Sequence, residues 1–362
     1  MARIRTVAVI GCGVGRMHIV EGYSRHPDKF RVLALCDLDP ARLAAVGDEL
    51  GIARRTAAFG EVLRMDDVEI VDICTPPALH VPQALAALAA GKEVVCEKPL
   101  AGSLADVDRL IEAERAAKTR IMPVFQYRFG NGLQKAKRIV DSGLAGKPYL
   151  ATVETAWKRG AEYYSVPWRG RWETELGGVL LTHAIHSHDI MTYLMGPIAS
   201  VFARTATRVN PIEVEDCAVA SLVMESGALV SLAATLGSQT EISRLRFCFE
   251  NVTFESSLAC YSPGDDPWQI VAASPEAGRR VAEALRDWTF VPSRFEGLMP
   301  RYHAALDSGT EFPVTLADAR RSLELVTALF HSSETAAAAA LPIGAAHPRY
   351  RGWRPPARDA GR

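Results

Sequence analysis

Two short segments of this 362-residue chain carry side chains that could do acid–base chemistry. The first is Glu97-Lys98-Pro99, which follows a strand-like run and places an amine just beyond the end of that strand. The second holds His183, His186 and His188, followed at once by Asp189. A buried amine or imidazole can hold or release a proton near neutral pH, because its surroundings shift its pKa. Together the segments predict proton transfer to or from a small molecule.

The histidine segment is also compatible with a metal site, because imidazole and carboxylate are common metal ligands. On a helix, His188 is rotated by about 200° from His186 and points elsewhere. The sequence offers no remote Cys or His pair to complete a ligand set. We therefore expect no metal, and packing of His183 and His188 against other helices is the other interpretation.

A glycine-rich turn near the start of the chain predicts a dinucleotide site. The apolar run Val7–Ile10 leads into Gly11, Gly13, Val14 and Gly15, where a strand pattern gives way to a helix pattern. Glycine permits a tight turn and the close approach of a pyrophosphate, whose charge rests on the helix N-terminus. The G-x-G-x-G spacing is one residue shorter than G-x-G-x-x-G, so the turn needs independent support.

Asp37 supplies that support, because it follows the second predicted strand at the place of a ribose-binding carboxylate. Its charge would repel a 2′-phosphate, and the next residue, Leu38, is not a cation, so NAD is favoured over NADP. Arg42 is close enough in sequence to moderate this preference. The competing interpretation is a glycine turn followed by an aspartate that caps a helix.

The first third of the chain must position these groups. Up to about residue 125, short runs rich in Val and Ile alternate with alanine-rich helical stretches, a rhythm typical of a parallel sheet covered on both faces. Ligands of such sheets bind beyond the carboxyl ends of the strands. The predicted strands are Thr6 to Ile10, Arg31 to Cys36, Ile70 to Cys74, Glu93 to Cys96 and Ile121 to Phe125. The predicted helices lie near residues 16–26, 40–50, 79–90 and 104–118.

After about residue 147, apolar residues alternate with a period of two, which predicts a mostly antiparallel sheet. The turn Glu225-Ser226-Gly227 predicts a hairpin over Ala218 to Ala234. Helical patterns cover residues 173–195 and Leu316 to Ala340, and the tail from Gly344 is expected to be loosely held. The predicted strands are Leu150 to Trp157, Val201 to Thr207, Ala218 to Met224, Leu229 to Ala234 and Leu245 to Phe249.

Bulk composition excludes several classes of protein. The net charge of −1 provides no field to hold nucleic acid or an anionic membrane, so a small ligand is expected. The seven cysteines are odd in number and lack CxxC spacing, which indicates free thiols in a reducing cytoplasm. We find no export signal and no apolar stretch of about 18 residues, so no membrane span is expected.

From about residue 4 to 343 the chain resembles the glucose–fructose oxidoreductase/inositol dehydrogenase/MocA family. The resemblance rests on the order of several motifs, which are Thr75-Pro76-Pro77 with His80, Ala89-Ala90-Gly91-Lys92, Glu97-Lys98-Pro99-Leu100-Ala101, Gln126-Tyr127-Arg128-Phe129, Tyr163-Tyr164 through Trp168-Arg169-Gly170, Gly177-Gly178-Val179-Leu180 and Leu341-Pro342. It implies an NAD-binding Rossmann domain over residues 1–125, an α/β substrate domain with a large open sheet over 126–343, and a tail over 344–362. It also implies sugar, inositol or related polyol substrates and a homodimer or homotetramer formed through the second sheet.

The resemblance assigns roles to particular residues. The cofactor positions that it implies are Gly11, Gly13, Val14, Gly15, Asp37, Thr75, Pro76, His80, Glu97, Lys98 and Gln126. By position, Lys98 corresponds to the active-site lysine of the family, and a cis peptide bond is expected before Pro99. The competing interpretation is a solvated lysine that caps a strand end.

The histidine segment resembles the family's D-x-G-x-H-x-x-D stretch, in which His186 and Asp189 match while Thr182 and Ala184 depart. The departure at Thr182 removes a carboxylate that would orient the imidazole and raise its basicity. On one helix Thr182 would lie against His186, four residues away. His186 is expected to take the alcohol proton, with Lys98 bonded to the same oxygen and His183 as the alternative base.

An aromatic and basic cluster precedes the histidines. Its members Tyr163, Trp168 and Arg169, with Tyr164 and Trp172 nearby, suit a sugar, because flat rings stack on C–H faces and arginine binds hydroxyl or carboxylate groups. We expect Tyr163, Trp168, Arg169, Lys98, Thr182, His183 and His186 to contact the substrate. The same cluster could instead pin a loop or form an oligomer contact. Balanced charge argues against single-stranded nucleic acid.

Three functions remain open at this stage. The first is an NAD-dependent dehydrogenase that acts on a secondary hydroxyl of a sugar, inositol or glycoside, or the reverse ketone reduction. The second is a lyase or glycosidase in which tightly bound NAD oxidises the sugar transiently. The third is a non-catalytic protein that senses the cofactor, although retention of Lys98 and His186 disfavours it.

Overall fold

A parallel sheet forms the first half of the fold in a computed structural model that describes residues 3–354. Its strands are β1 (Arg5–Ile10), β2 (Phe30–Cys36), β3 (Arg54–Thr56), β4 (Ile70–Ile73), β5 (Glu93–Cys96) and β6 (Ile121–Pro123). The helices between them are α1 (Cys12–Glu21), α2 (Pro40–Glu49), α3 (Phe59–Leu63), α4 (His80–Ala89) and α5 (Leu104–Ala116). The strand order β3-β2-β1-β4-β5-β6 is that of a doubly wound dinucleotide-binding sheet.

The predicted strands and helices of this half are confirmed to within a few residues, with one strand, β3, and one short helix, α3, added. The buried runs of β1 and β4 leave little ambiguity, because a sheet covered on both faces needs continuous apolar strands. Strand β3 was not predicted, since the sequence Arg-Arg-Thr at this sheet edge carries no apolar pattern. Helix α1 begins at Cys12, directly after Gly11, rather than near residue 16.

A second sheet forms the other half of the fold. Its strands are β7 (Pro148–Lys158), β8 (Ile198–Ala206), β9 (Cys217–Met224), β10 (Leu229–Thr235), β11 (Gly237–Phe249), β12 (Val252–Glu255), β13 (Gln269–Ala272) and β14 (Ala339–Ala340). The order is β13-β12-β11-β7-β10-β9-β8-β14. Strand β10 runs parallel to β7, and the other neighbours pair antiparallel, so the prediction of a mostly antiparallel sheet is confirmed. The predicted hairpin is the β9–β10 pair.

Seven further helices follow β6 in the described part of the chain. They are α6 (Asn131–Asp141), α7 (Ala161–Tyr164), α8 (Val179–Thr182), α9 (Ile185–Met195), α10 (Pro275–Ala284), α11 (Arg294–Ser308) and α12 (Leu316–Thr335). Among residues 3–354, no helix is both long and apolar enough to cross a membrane.

Two helix predictions are wrong in extent. Residues 173–195 do not form one helix, because turns occupy 172–175 and the chain turns again at His183 and Ala184, between α8 and α9. The last long helix ends at Thr335 instead of Ala340, since Ala336 adopts a left-handed conformation with φ 56° and the chain then enters β14. Alanine favours a helix locally, but pairing of Ala339 with Val201 in β8 overrides that preference.

The chain returns to the first sheet near its end. In α11, Tyr302 stacks on Phe30 of β2 with ring centroids 6.4 Å apart, and His303 Nε2 lies 2.8 Å from the Arg3 carbonyl oxygen. Residues beyond about 293 therefore help to cover the dinucleotide-binding half, and the division of the chain at residue 125 stays a prediction.

The start of the predicted tail is packed, which corrects the expectation of a loosely held segment from Gly344. Trp353 is buried, and its indole nitrogen donates to the Leu176 carbonyl oxygen at 2.8 Å. The Tyr350 hydroxyl donates to Asp108 in α5 at 2.7 Å. The rest of the tail, residues 355–362, lies outside the described residues.

Candidate active site

The glycine turn joins β1 to α1 and leaves room for a ligand. Gly11 has φ 91°, and a Cβ there would lie 2.6 Å from the Cys74 carbonyl oxygen, so this position requires glycine. A Cβ on Gly13 would meet nothing within 4 Å, which leaves open space above the start of α1. The first turn of a helix has N–H groups without partners inside the helix, and these suit a phosphate. The residues present therefore fit a dinucleotide pyrophosphate.

Asp37 is held close to this turn. Its carboxylate accepts hydrogen bonds from the Cys12 N–H at 2.7 Å and from the Asp39 N–H at 2.8 Å. The Arg42 guanidinium lies 3.4 Å from the same carboxylate, so the predicted moderating cation is in contact with it. The geometry fits the predicted ribose-binding role, since the carboxylate is oriented from the backbone of the turn.

Other predicted cofactor residues bracket the loops after β4 and β5. His80 is buried with its two ring nitrogens 2.7 Å from the carbonyl oxygens of Thr75 and Pro99, so it braces these loops against one another. The Thr75 hydroxyl donates to Gln83 at 2.6 Å. Gln126 is buried, and its Oε1 has no hydrogen-bond partner within residues 3–354. Pro76 precedes the short 3-10 turn Pro77–Leu79 that leads into α4.

Lys98 connects the two halves of the molecule. It follows β5, and the Lys98–Pro99 peptide is cis, as the resemblance implies. Its Nζ donates to the Thr182 carbonyl oxygen at 2.7 Å, and its backbone N–H donates to Glu97 at 3.0 Å. Burial lowers the pKa of Lys98; the nearby Glu97 charge opposes this effect, and the cation Arg169 adds to it. The partly buried position of Lys98 and the bond from its ammonium to Thr182 disfavour the alternative of a solvated lysine at a strand end.

The break between α8 and α9 changes the predicted partner of Thr182. The Thr182 hydroxyl donates to the Gly178 carbonyl oxygen at 2.8 Å and lies 2.7 Å from His183 Nδ1, so the expected contact with His186 is wrong. A hydroxyl has one proton, and donation to Gly178 requires Nδ1 of His183 to carry its own. This bond assigns the tautomer of His183 and leaves its Nε2 with a lone pair.

His186 is buried in a different environment. Its ring stacks on Tyr127 with centroids 4.0 Å apart, and its Nδ1 has no hydrogen-bond partner in the described chain. Burial lowers the pKa of both His183 and His186 well below the ordinary value, and Lys98 lowers each further. Both rings are therefore neutral at physiological pH, with a lone pair able to accept a proton.

The remaining members of the histidine segment lie away from this point. His188 is completely buried, and burial lowers its pKa to about 3, which agrees with a packing role. Asp189 binds Arg128 with two contacts of 2.6 Å and so ties α9 to the segment after β6.

The aromatic and basic cluster divides in two. Tyr163 lies 5.5 Å from the His183 ring, and Arg169 stacks over Tyr163 at 3.8 Å and over Trp168 at 4.4 Å. Trp172, in contrast, packs on Phe330 and belongs to the core around α12. Tyr163 and Arg169 therefore lie near His183, with Trp168 on the other side of Arg169, and their contact with a substrate stays a prediction.

Three residues at the site were not predicted, namely Glu175, Glu241 and Tyr261. Arg159 contacts Glu241 at 2.5 Å and Tyr261 at 2.9 Å, and its charge acts on His183. Glu175 is almost completely buried; its Oε1 has no hydrogen-bond partner in the described chain, and Arg169 lies 3.8 Å away. Burial raises the pKa of Glu175 to about 7. These residues come from separate loops and strands, so no local pattern in the sequence marks them.

A buried charged group under Lys98 was also missed. His18 Nδ1 lies 2.8 Å from Asp72, and His18 Nε2 lies 2.8 Å from Glu97. Asp72 interrupts the otherwise apolar strand β4, which is the signal that could have revealed it, since a buried carboxylate needs a partner. His18, Asp72 and Cys74 offer ligand atoms within 4.8 Å of one another, but an imidazolium between two carboxylates accounts for this geometry without a metal.

This fold and site define a dinucleotide-dependent oxidoreductase. Residues 5–125 match the oxidoreductase family with an NAD-binding Rossmann fold, and residues 133–255 match the GFO/IDH/MocA C-terminal domain. The chain belongs to the Gfo/Idh/MocA family of oxidoreductases, which confirms the resemblance.

Individual relatives extend this likeness along the chain. This chain is 28% identical to D-apiose dehydrogenase of Rhizobium rhizogenes over 343 residues, which cover 90% of this chain and 94% of the relative. It is 31% identical to myo-inositol 2-dehydrogenase of Thermotoga maritima over 232 residues, covering 62% and 66% of the two chains. The structure of the WlbA dehydrogenase of Bordetella pertussis, in complex with NADH and UDP-GlcNAcA, superposes with a TM-score of 0.83 at 28% identity, covering 94% and 100% of the two chains.

Proposed function

We propose that this oxidoreductase interconverts a secondary hydroxyl and a ketone of a sugar or polyol, with Lys98 and His186 at the reaction centre. The observation that carries the proposal is the 2.7 Å bond from Lys98 Nζ to the Thr182 carbonyl oxygen, because it joins the cofactor half to the histidine segment. Relatives named as apiose and inositol dehydrogenases support sugars and polyols as substrates.

The chain's own groups divide the proton chemistry. Bound NAD supplies the hydride acceptor for alcohol oxidation. His186, neutral because it is buried, takes the alcohol proton, while the Lys98 ammonium donates a hydrogen bond to the same oxygen as its charge grows. His183 Nε2 accepts a hydrogen bond from a neighbouring hydroxyl of the substrate, since His183 Nδ1 is already bonded to Thr182. Trp168 and Tyr163 provide flat faces for the sugar ring.

Asp37 gives the chain a preference for NAD over NADP. Its carboxylate faces the turn that would hold the adenosine end, and a 2′-phosphate beside it would be repelled. Arg42 at 3.4 Å keeps this preference moderate. We expect Asp37→Ala to narrow the ratio of kcat/KM for NAD over NADP by about tenfold. An unchanged ratio would remove Asp37 from cofactor selection.

The charges around His183 indicate a sugar that carries an acid group. Beyond the effect of burial, Lys98, Arg159 and Arg169 all lower the pKa of His183. Glu241 neutralises Arg159, but Glu175, the carboxylate near Arg169, titrates at about 7 and offsets that charge only in part. A carboxylate on the substrate would neutralise the remaining positive charge of Arg169, because arginine binds carboxylates through two parallel hydrogen bonds.

A substrate panel tests the function. The wild-type protein and Lys98→Met are incubated with NAD and with matched pairs, glucose and glucuronate, galactose and galacturonate, together with myo-inositol. We expect NADH absorbance to rise with wild type alone and faster with the acid of each pair. NADH formation from neutral members alone would exclude the acid preference. No NADH from any member, with cofactor bound, would contradict the dehydrogenase and favour retained NAD.

We also propose that the outer face of the second sheet forms a homodimer or homotetramer. Exposed apolar side chains lie on this face, namely Leu150, Phe202, Val219, Val223 and Leu229. Leu229 of β10 is in register with both Leu150 and Val223 on the two neighbouring strands, so the apolar surface is continuous. Leu229→Lys with Val223→Lys is expected to give monomers by light scattering; a wild-type monomer would contradict the proposal.

The cysteines support a cytoplasmic location. All seven are free thiols, and four of them are buried. Free thiols persist in a reducing compartment.

A further inference from the structure

His18 and Asp72, two buried residues with no assigned role, form a charged group with Glu97 next to Lys98. His18 of α1 is completely buried and bridges Asp72 of β4 and Glu97, with 2.8 Å between the ring nitrogens and each carboxylate. Glu97 uses its other oxygen to accept the backbone N–H of Lys98 at 3.0 Å. An unbroken chain of hydrogen bonds thus runs from β4 through α1 to Lys98.

We propose that this Asp72–His18–Glu97 array positions Lys98 and sets the electrostatic field at its ammonium, which makes His18 a positioning residue of the reaction centre. The inference rests on the proposed role of Lys98 in the chemistry. Glu97 is the link, because it is held by His18 on one oxygen and holds the Lys98 backbone with the other.

The array carries a definite charge. Although burial opposes ionisation of His18, the Asp72 carboxylate raises the pKa of His18 well above its ordinary value, so the ring is an imidazolium. Two carboxylates and one imidazolium sum to a single negative charge beside Lys98. That charge opposes the effect of burial, since Glu97 raises the pKa of Lys98.

Other groups face the array and Lys98 from every side. Cys74 Sγ lies 3.5 Å from His18 Nδ1, and Phe295 of α11 packs on the imidazole with ring centroids 4.3 Å apart. The charge of Asp72 acts on the buried Tyr23. The charged or titratable groups that act electrostatically with Lys98, besides Glu97, are Arg159, Arg169, Glu175, His80, His183 and His186. These groups stay unchanged in the variants below.

Stability alone does not explain the array. Buried ion clusters are commonly no more stabilising than apolar residues of similar size. The surrounding strands are built almost entirely from such residues, as in Val-Ala-Val-Ile of β1 and Ile-Val of β4. A charged triad ending on the lysine backbone is therefore better explained by an action on that lysine.

The experiment measures the titration of Lys98 without turnover. The full-length protein is acetylated briefly with acetic anhydride over a range of pH, and modification of the Lys98 peptide is followed by mass spectrometry. His18→Asn removes the cation, so we expect the midpoint for Lys98 to move up by about half a pH unit or more. Glu97→Gln removes an anion, and the midpoint should move down by a similar amount.

The control is Cys74→Ser, which touches the same imidazole and changes no charge, so the midpoint should stay in place. Shifts in the same direction for His18→Asn and Glu97→Gln, or no shift in either, would overturn the proposal. If His18→Asn does not fold, the acetylation midpoint of Lys98 is compared between Glu97→Gln and Cys74→Ser. An array with a purely structural role would not lower this midpoint in Glu97→Gln. Acetylation does not depend on a substrate, so failure of the sugar panel would leave this result readable.

Discussion

The two halves of the proposed reaction centre are built in different ways. In the first half, the glycine turn, Asp37 and Lys98 all follow strands of one parallel sheet, so topology brings them to the same edge. In the second half, Thr182 ends one helix, His183 lies in the break that follows, and His186 belongs to the next helix. Strand order positions residues robustly, whereas a single turn in a helical segment changes which side chains meet.

The largest expected effect tests the first half. Lys98→Met should lower kcat by about 100-fold or more, because the variant cannot donate to the substrate oxygen, while NAD binding stays within a few-fold. Turnover is measured by NADH absorbance and NAD binding by fluorescence titration. Lys147→Met, at an exposed lysine, is the control. Near-normal turnover in Lys98→Met would show that the half of the site built on the parallel sheet binds the cofactor but takes no part in the chemistry.

The second prediction compares His183, which lies in the break between α8 and α9, with His186 at the start of α9. His186→Asn should lose about 100-fold in kcat and the acidic limb of the pH–rate profile, whereas His183→Asn should lose roughly tenfold. That limb should lie below the ordinary histidine pKa, because burial lowers the pKa of His186. A greater loss in His183→Asn would transfer the role of base to the residue that Thr182 orients.

The third prediction concerns Glu175, which only the tertiary structure places in the second half. Because burial raises its pKa to about 7, the folded protein retains a proton that the unfolded chain has already released. Ionisation of Glu175 should therefore lower the free energy of unfolding as pH rises from about 4.5 through 7, by on the order of 1–3 kcal/mol. Glu175→Gln should lose this dependence in urea unfolding at pH 5.5 and 8.5. Identical pH dependence in both proteins would contradict the assignment.

The smallest expected effect concerns Thr182, the last residue of α8 before the break. Thr182→Val keeps the side-chain shape but removes the hydroxyl that bridges Gly178 and His183. We expect about a fivefold loss in kcat/KM, since the tautomer of His183 is no longer set by a hydrogen bond. Thr182→Ser should restore most of the activity. Equal losses in both variants would mean that packing, and not the hydroxyl, matters at this position.

Prediction from the sequence succeeded where one local pattern implied one structure. The apolar runs of β1, β2, β4 and β5 could be placed because buried parallel strands are continuous and short. It failed at 173–195, where apolar and polar spacing suits a helix throughout but the chain turns at 172–175 and again at His183. Periodicity does not register a turn of two residues, so the Thr182–His186 contact was assigned to the wrong partner.

The amino-acid sequence is enough to identify the cofactor half and the family, and it predicts Lys98 as the reactive group, because these inferences depend on the order of elements and on short motifs at strand ends. The groups that surround Lys98 become visible only in the folded chain. The Thr182 carbonyl oxygen accepts a hydrogen bond from Lys98, and Glu175 is close enough to act on the charge of Lys98. His18 is bonded to Glu97, which accepts the backbone N–H of Lys98. These partners are far apart along the chain, and burial, which sets their charges, exists only once both sheets are in place.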